Sequence, residues 1–238
     1  MKTAIFLEGQ TELIFVREML LKIFDYIVTI KYIKRGHLKT LQEINHAEFT
    51  FILIDCEGDA NVMKLLLESE KRYWDLGFDK IIGLKDMYSK TYKSEAQTKG
   101  IQEHLNEKFI NSHQKIINEK ARESEKISFH FAIMEIEAWL LACPHIFQKI
   151  DKQLSVSFIK EELDFDLETV DPEKTFLRPA KELKEILKLI EKIHSKSEKV
   201  VTEIVSNLSK DDYELLNTSE KCTSFSKFYT NLPKATIQ

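Results

Sequence analysis

The feature that most constrains this chain is a series of short apolar segments that alternate with helix-period segments and end, one after another, in a carboxylate. Residues 3–8 read as a strand closing at Glu8-Gly9, and residues 11–24 follow with Leu13, Val16, Leu20 and Phe24 at helical spacing. Residues 26–33 read as a second strand, 37–45 as a short helix and 49–54 as a third strand ending at Asp55. A helix over 60–74, a fourth strand over 80–84 closing at Asp86, a long polar helix over 94–123 and a fifth strand over 127–134 closing at Glu135 complete the series. Strands joined through helices need crossover connections. The expected fold is therefore α/β, a mostly parallel sheet flanked by helices on both faces.

Beyond Glu137 the pattern becomes helical only, over 138–143, 156–163, 179–196 and 200–208. This predicts an α/β domain over 1–150 and a helical C-terminal region over 151–238 packed on it, with Asp171-Pro172 marking a loop. Only 6 glycines and 4 prolines occur, too few for a turn-rich sandwich or barrel. With 43% hydrophobic and 31% charged residues the chain can bury a core. Cys56, Cys143 and Cys222 are odd in number and far apart, which offers neither a disulfide framework nor a CxxC metal site and suits a reducing cytoplasm. No signal-like or membrane-length apolar run is present, so a cytoplasmic protein without membrane contact is expected. The formal charge of −4 gives no global attraction to nucleic acid, so a polyanion would need a local basic surface.

In an open parallel sheet the carboxyl ends of the strands form one edge, and ligands bind there. The acids at that edge are Glu8, Asp55 with Glu57, Asp86, and Glu135 with Glu137. Glu12 joins them, because Gly9 permits a tight turn and Thr11 can cap the helix that begins there. If the chain is still extended, residues 135 and 137 share one face. Two carboxylates about 4 Å apart repel by roughly 4 kcal/mol at an effective dielectric near 20, and a hard divalent cation relieves that repulsion. An oxygen-only donor set favours Mg²⁺, Mn²⁺ or Ca²⁺ over zinc. The alternative is that these acids cap helices or face solvent.

Two basic features are candidate nucleic-acid contacts, each alternatively a solvated surface. Lys34, Arg35 and His37 follow a predicted strand and can hold a phosphate. Lys181, Lys184, Lys188, Lys192, Lys196 and Lys199 form a stripe opposite Leu183, Ile186, Leu187, Ile190 and Ile193, with Lys184, Lys188 and Lys192 the contacts singled out.

Leu7-Glu8-Gly9-Gln10-Thr11-Glu12 resembles the EGxTE motif that opens Toprim domains in the overcoming-lysogenisation-defect nucleases and their smaller relatives. Further matches are Lys34-Arg35-Gly36-His37, Lys85-Asp86-Met87-Tyr88, the segment from Met134 to Leu141, Arg178-Pro179-Ala180-Lys181 and the segment from Thr223 to Phe228. With these the chain resembles, over nearly its whole length, a prokaryotic Toprim-like family of unknown function close to the RloB-type proteins. The resemblance implies a Toprim-like sheet, divalent-metal-dependent phosphodiester chemistry, a place in anti-phage defence and, in some relatives, a partner ATPase. It also implies that Glu8 and Glu12 serve the metal site. The Toprim DxD motif is matched only in part, by Asp55-Cys56-Glu57 and by Asp86-Met87-Tyr88, so either strand can play that part and the number of metals stays open.

The leading expectation is a Mg²⁺- or Mn²⁺-dependent nuclease acting on DNA or RNA. Its catalytic residues would be Glu8, Glu12, Asp86 and Glu135, with Asp55, Glu57 and Glu137 as additional ligands. One rival is a catalytically weak Toprim-like module that binds nucleic acid, or senses it, and acts through a partner ATPase. Another is a small-nucleotide phosphohydrolase, favoured by the acidic net charge.

Overall fold

Strand β1 (Lys2–Leu7) is the axis of the fold: Ala4, Ile5, Phe6 and Leu7 are each 0% exposed, as are Phe51 to Ile54 on β3 (Thr50–Asp55). Continuous apolar burial of this kind marks a sheet covered on both faces. In the computed structural model, which describes residues 1–34, 48–96, 100–191 and 198–233, five strands form one parallel sheet in the order β2-β3-β1-β4-β5. The remaining strands are β2 (Thr29–Lys34), β4 (Lys80–Asp86) and β5 (Ile127–Ala132). Leu7 pairs with Asp55 on one side and with Leu84 on the other. The connection leaving β1 runs toward β2, and the one leaving β4 runs toward β5. The topological switch point therefore lies between the carboxyl ends of β1 and β4.

The chain divides into two compact units. The first comprises Met1–Lys85, Glu107–Phe131 and the stretch from Asn231; the second comprises Asp86–Asn106 and Ala132–Thr230. In the first unit α1 (Gln10–Ile23) buries Ile14, Phe15, Val16, Met19 and Leu20, and α2 (Asp59–Asp75) buries Val62, Leu65, Leu66 and Tyr73. The Tyr73 ring meets Phe6 edge-on at 5.6 Å. The second unit carries α3 (Lys90–Ala96); α4 (Glu103–Lys120) begins in it and runs on into the first. Its other helices are α5 (Glu137–Leu141), α6 (His145–Ile150), α7 (Val156–Leu163), α8 (Pro172–Thr175), α9 (Pro179–Lys188), α10 (Glu198–Ser206), α11 (Lys210–Thr218) and α12 (Thr223–Tyr229).

Three expectations need correction. The helix expected over 94–123 is two helices, α3 and α4, with Gly100 between them at φ +78°. The fifth strand ends at Ala132 rather than at Met134, which takes φ +64°, so Glu135 lies in a turn and Glu137 opens α5. Residues 135 and 137 are thus not two positions of one strand. Thr11 does not cap α1 either: Gly9 stands at the N-cap without a side-chain bond, and Thr11 is buried. Helices α11 and α12 lie where no helix was expected. All three cysteines are buried thiols outside any disulfide, and among the described residues no helix is long and apolar enough to cross a membrane.

One close approach in the first unit sets a limit on sequence. A Cβ placed on Gly83 of β4 would stand 2.5 Å from Phe129 Cδ2 and 3.2 Å from Leu66 Cδ1. Gly83→Ala should therefore destabilise by about 1–3 kcal/mol through overpacking. Trimming the facing ring with Phe129→Leu should recover part of that loss in a double-mutant cycle read by urea unfolding. Additive losses would show that the ring does not set the limit.

Candidate functional site

In the first unit, the edge at the carboxyl ends of β1 and β3 is built from backbone as much as from side chains. Past the end of the ladder the pairing continues: Cys56 N–H donates to the Leu7 carbonyl at 2.9 Å and Gly58 N–H to the Glu8 carbonyl at 2.8 Å. The Asp55 carboxylate accepts the Glu57 N–H at 2.9 Å, an Asx-type turn that bends the chain out of the sheet. Glu57 and Gly58 follow at φ +56° and +128°, and only glycine adopts the second of these at low cost. Glu8 stands one residue past β1 and is half-buried, whereas Glu12, in the first turn of α1, is buried. The Glu12 carboxylate folds back over the turn, so that a Cβ on Gly9 would sit 3.5 Å from its Oε2. Asp55 is half-buried, and Glu57 points to solvent.

The same unit holds a cation that was not among the expected site residues. Lys85, near the end of β4, is 8% exposed, with its Nζ 3.9 Å from Asp59 Oδ2 and 5.9 Å from the centre of the Phe131 ring. A buried ammonium needs nearby negative charge, and this one lies on the strand that borders the switch point. Its sequence signal was weak, because a lysine inside an otherwise apolar strand reads as one that reaches for solvent.

The second unit holds Asp86, Glu135 and Glu137, all buried. Asp86 Oδ1 accepts the Ile136 N–H at 2.9 Å, and Glu135 Oε2 accepts the Ala180 N–H at 2.8 Å in the first turn of α9. The segments after β4 and β5 are joined by backbone, Met87 N–H to the Ala132 carbonyl at 2.9 Å and Tyr88 N–H to the Met134 carbonyl at 2.7 Å. Each of these two acids thus keeps one oxygen engaged in holding a loop.

The segment that carries Glu135 and Glu137 is anchored by a further carboxylate, Glu173 of α8. It is 4% exposed and accepts from Trp139 Nε1 at 3.0 Å, from the Ser224 N–H at 3.2 Å and from the Ser224 hydroxyl. Asp171 caps the short helix that presents it. Burial raises the Glu173 carboxyl to about 7, although the bonds from Ser224 and Trp139 favour the ionised form.

The expected basic contacts divide. Lys34, the last residue of β2, is exposed, as are Lys184 and Lys188 on α9, where Lys188 Nζ pairs with Glu185 Oε1 at 2.8 Å. Arg35, His37 and Lys192 lie outside the described residues. The apolar side of α9 is as expected, with Leu183, Ile186 and Leu187 buried.

The sequence matches a family described as a domain of unknown function, DUF4276, over residues 7–233. The chain belongs to that family. The match runs from the end of β1 past the last helix and so takes in every acid described above. No curated protein and no solved structure matches the chain significantly. The strand-end side chains considered as ligands in this DUF4276 chain are all carboxylates, the donor type that a hard divalent cation takes. Among the described residues no group of three or more His, Cys, Asp or Glu side chains is drawn together as a ready-made metal site.

Glu173 makes a measurable prediction. The folded chain retains a proton that the unfolded chain releases near 4.5, so this group's contribution is complete below that pH and is lost as pH rises through about 7. Urea midpoints of the wild type should fall between pH 5 and pH 8 by more than those of Glu173→Gln. Parallel pH profiles for the two proteins would remove Glu173 as the titrating group.

Proposed function

We propose that this protein is a Toprim-type, divalent-metal-dependent phosphodiesterase acting on nucleic acid, with Glu8 and Glu12 as its principal metal ligands. The observation that carries the reading is Glu8, one residue past β1 at the switch point of a parallel sheet, with the buried Glu12 carboxylate folded back over Gly9 beside it. The EGxTE resemblance at these same residues supports it. Asp55 at the end of β3 is the acid of the first unit best placed by register to join them, since its strand position pairs directly with Leu7. Taken by itself, the second unit offers Asp86, Glu135 and Glu137 as proposed metal ligands.

Bound Mg²⁺ or Mn²⁺ would polarise a phosphoryl oxygen and lower the pKa of an attacking water. The chain's own contribution is to present carboxylates at a sheet edge, to orient Asp55 through the Glu57 amide, and to offer Glu8 as the half-exposed group able to accept a proton. Anti-phage defence, beside a partner ATPase, is the biological setting that the resemblance supports. Lys34, Lys184 and Lys188 are proposed backbone contacts for the polyanion, and Arg35, His37 and Lys192 belong to the same two basic runs. A second reading, a nucleic-acid-binding module with weak catalysis, is favoured by the turn bonds on Asp55 and Asp86, which leave neither DxD candidate wholly at the disposal of a metal.

Three measurements separate these readings. Millimolar Mg²⁺ or Mn²⁺ should raise the melting temperature, because a ligand that binds only the folded state stabilises it by mass action. The absence of both a thermal shift and calorimetric heat at millimolar metal would overturn the metal-site reading. Glu8→Gln keeps the side chain's shape but removes the charge a metal needs, so cleavage of plasmid or RNA should drop at least ~100-fold while the metal-free melting temperature stays level or rises. Full activity with a lower melting temperature would make Glu8 structural. Asp55→Asn and Asp86→Asn, compared under the same assay, should differ in activity, the more damaging change marking the strand that plays the DxD role.

A further inference from the structure

Two cations in the second unit share one aromatic ring. Lys93 Nζ on α3 stands 5.6 Å from the centre of the Tyr88 ring, and the Arg178 guanidinium carbon, at the N-cap of α9, stands 5.8 Å from the same centre. The two charges are thus no farther apart than the sum of those distances. Tyr88 is half-buried, while Lys93 and Arg178 are exposed.

What marks this pair is that two cations share one ring. Several basic residues of the unit have a carboxylate in reach, as in Lys149 with Asp212, Lys160 with Asp166, Lys174 with Asp171 and Lys188 with Glu185. Among the described residues no carboxylate lies within ion-pair distance of Lys93 or Arg178. The ring quadrupole attracts each cation weakly at an exposed site, and the like charges oppose one another. An anion is the missing partner, and Arg presents the planar fork that matches phosphate oxygens.

The surroundings say which anion. Tyr88 lies two residues beyond Asp86, and its N–H donates to the Met134 carbonyl, next to Glu135. Arg178 lies two residues before Ala180, whose N–H donates to Glu135 Oε2. The cation pair is therefore tied by backbone to both of the second unit's proposed catalytic carboxylates. We propose that Tyr88, Lys93 and Arg178 form a phosphate clamp that holds the backbone of a single-stranded nucleic acid beside Asp86 and Glu135. This deepens the phosphodiesterase reading and rests on it for the identity of the ligand. The ring aligns the two cations; Arg178 grips one phosphate in bidentate fashion, and Lys93 supplies a point charge to the same phosphate or its neighbour.

The test is binding without catalysis: anisotropy of a fluorescent oligothymidylate with the full chain in EDTA, across a salt series, with inorganic phosphate as the second probe. The double variant Lys93→Gln/Arg178→Gln should bind about tenfold more weakly, with a log–log salt slope shallower by about 1.4, from two contacts at about 0.7 each. Tyr88→Leu keeps both charges but releases them, and should cost roughly threefold in affinity with the slope retained. Should the double variant fail to fold, Lys93→Gln alone, a change at an exposed helical position, must still lower the slope by about 0.7. Unchanged affinity and slope would overturn the clamp, as would a wild type that holds inorganic phosphate as tightly as the oligonucleotide. Because no metal is present, failure here leaves the metal site standing. Conversely, an active Glu8→Gln protein would sink the nuclease reading without touching the binding result.

Discussion

The parallel pairing of β1 with a neighbour on each side is the constraint on which the rest of the structure depends. Its side chains are sealed from water on both faces, so its backbone donors and acceptors must be met by β3 and β4, and the register that meets them also fixes where each strand ends. Leu7 aligns with Asp55 and Leu84 as a consequence. Gly83 admits the Phe129 ring against the sheet, while Cys56 and Gly58 carry the pairing past the ladder's end. The polar residues that follow the apolar strands emerge at one edge because parallel strands all run out in the same direction.

Buried carboxylates are handled in this protein by several distinct means. Glu70 accepts the Arg122 N–H with both oxygens and the Trp74 indole besides, an arrangement that closes a helix-to-loop junction. Glu173 is similarly enclosed by Trp139 and Ser224, and burial wins, holding its carboxyl near neutrality. Asp212 is buried in part, but the Ser209 amide and hydroxyl together with His145 and Lys149 outweigh desolvation and keep its carboxyl below the usual range. Asp86 and Glu135 each accept one backbone N–H. Each of these bonds helps to fix the direction of its carboxylate.

Strain collects at the same places. Among non-glycine residues at positive φ are Glu57, directly after the Asp55 turn, and Met134, directly before Glu135. Backbone in that region costs free energy for a side chain with a Cβ and persists only where surrounding bonds demand it. Here the demands are visible: the Asp55 carboxylate takes the Glu57 amide, and the Met134 carbonyl takes the Tyr88 N–H. Both turns aim an acid that the sequence had placed only approximately.

The amino-acid sequence by itself determined the α/β alternation, the strands that end at Asp55 and Asp86 and the buried face of α9, because each follows from local periodicity and composition. The acids at the strand ends were legible for the same reason. The Thr11 cap and the extended run from Glu135 to Glu137 were not, since Gly9 took the N-cap position and a left-handed Met134 ended the strand early, both choices made by pairing elsewhere in the sheet and loops. Lys85 as a buried cation, Glu173 as the partner of Trp139, and Tyr88 between Lys93 and Arg178 join residues up to 90 positions apart in the chain. No window of sequence carries such a contact. Only the tertiary structure decided which charges meet a partner within the chain, because that depends on distances between elements rather than on order along the chain.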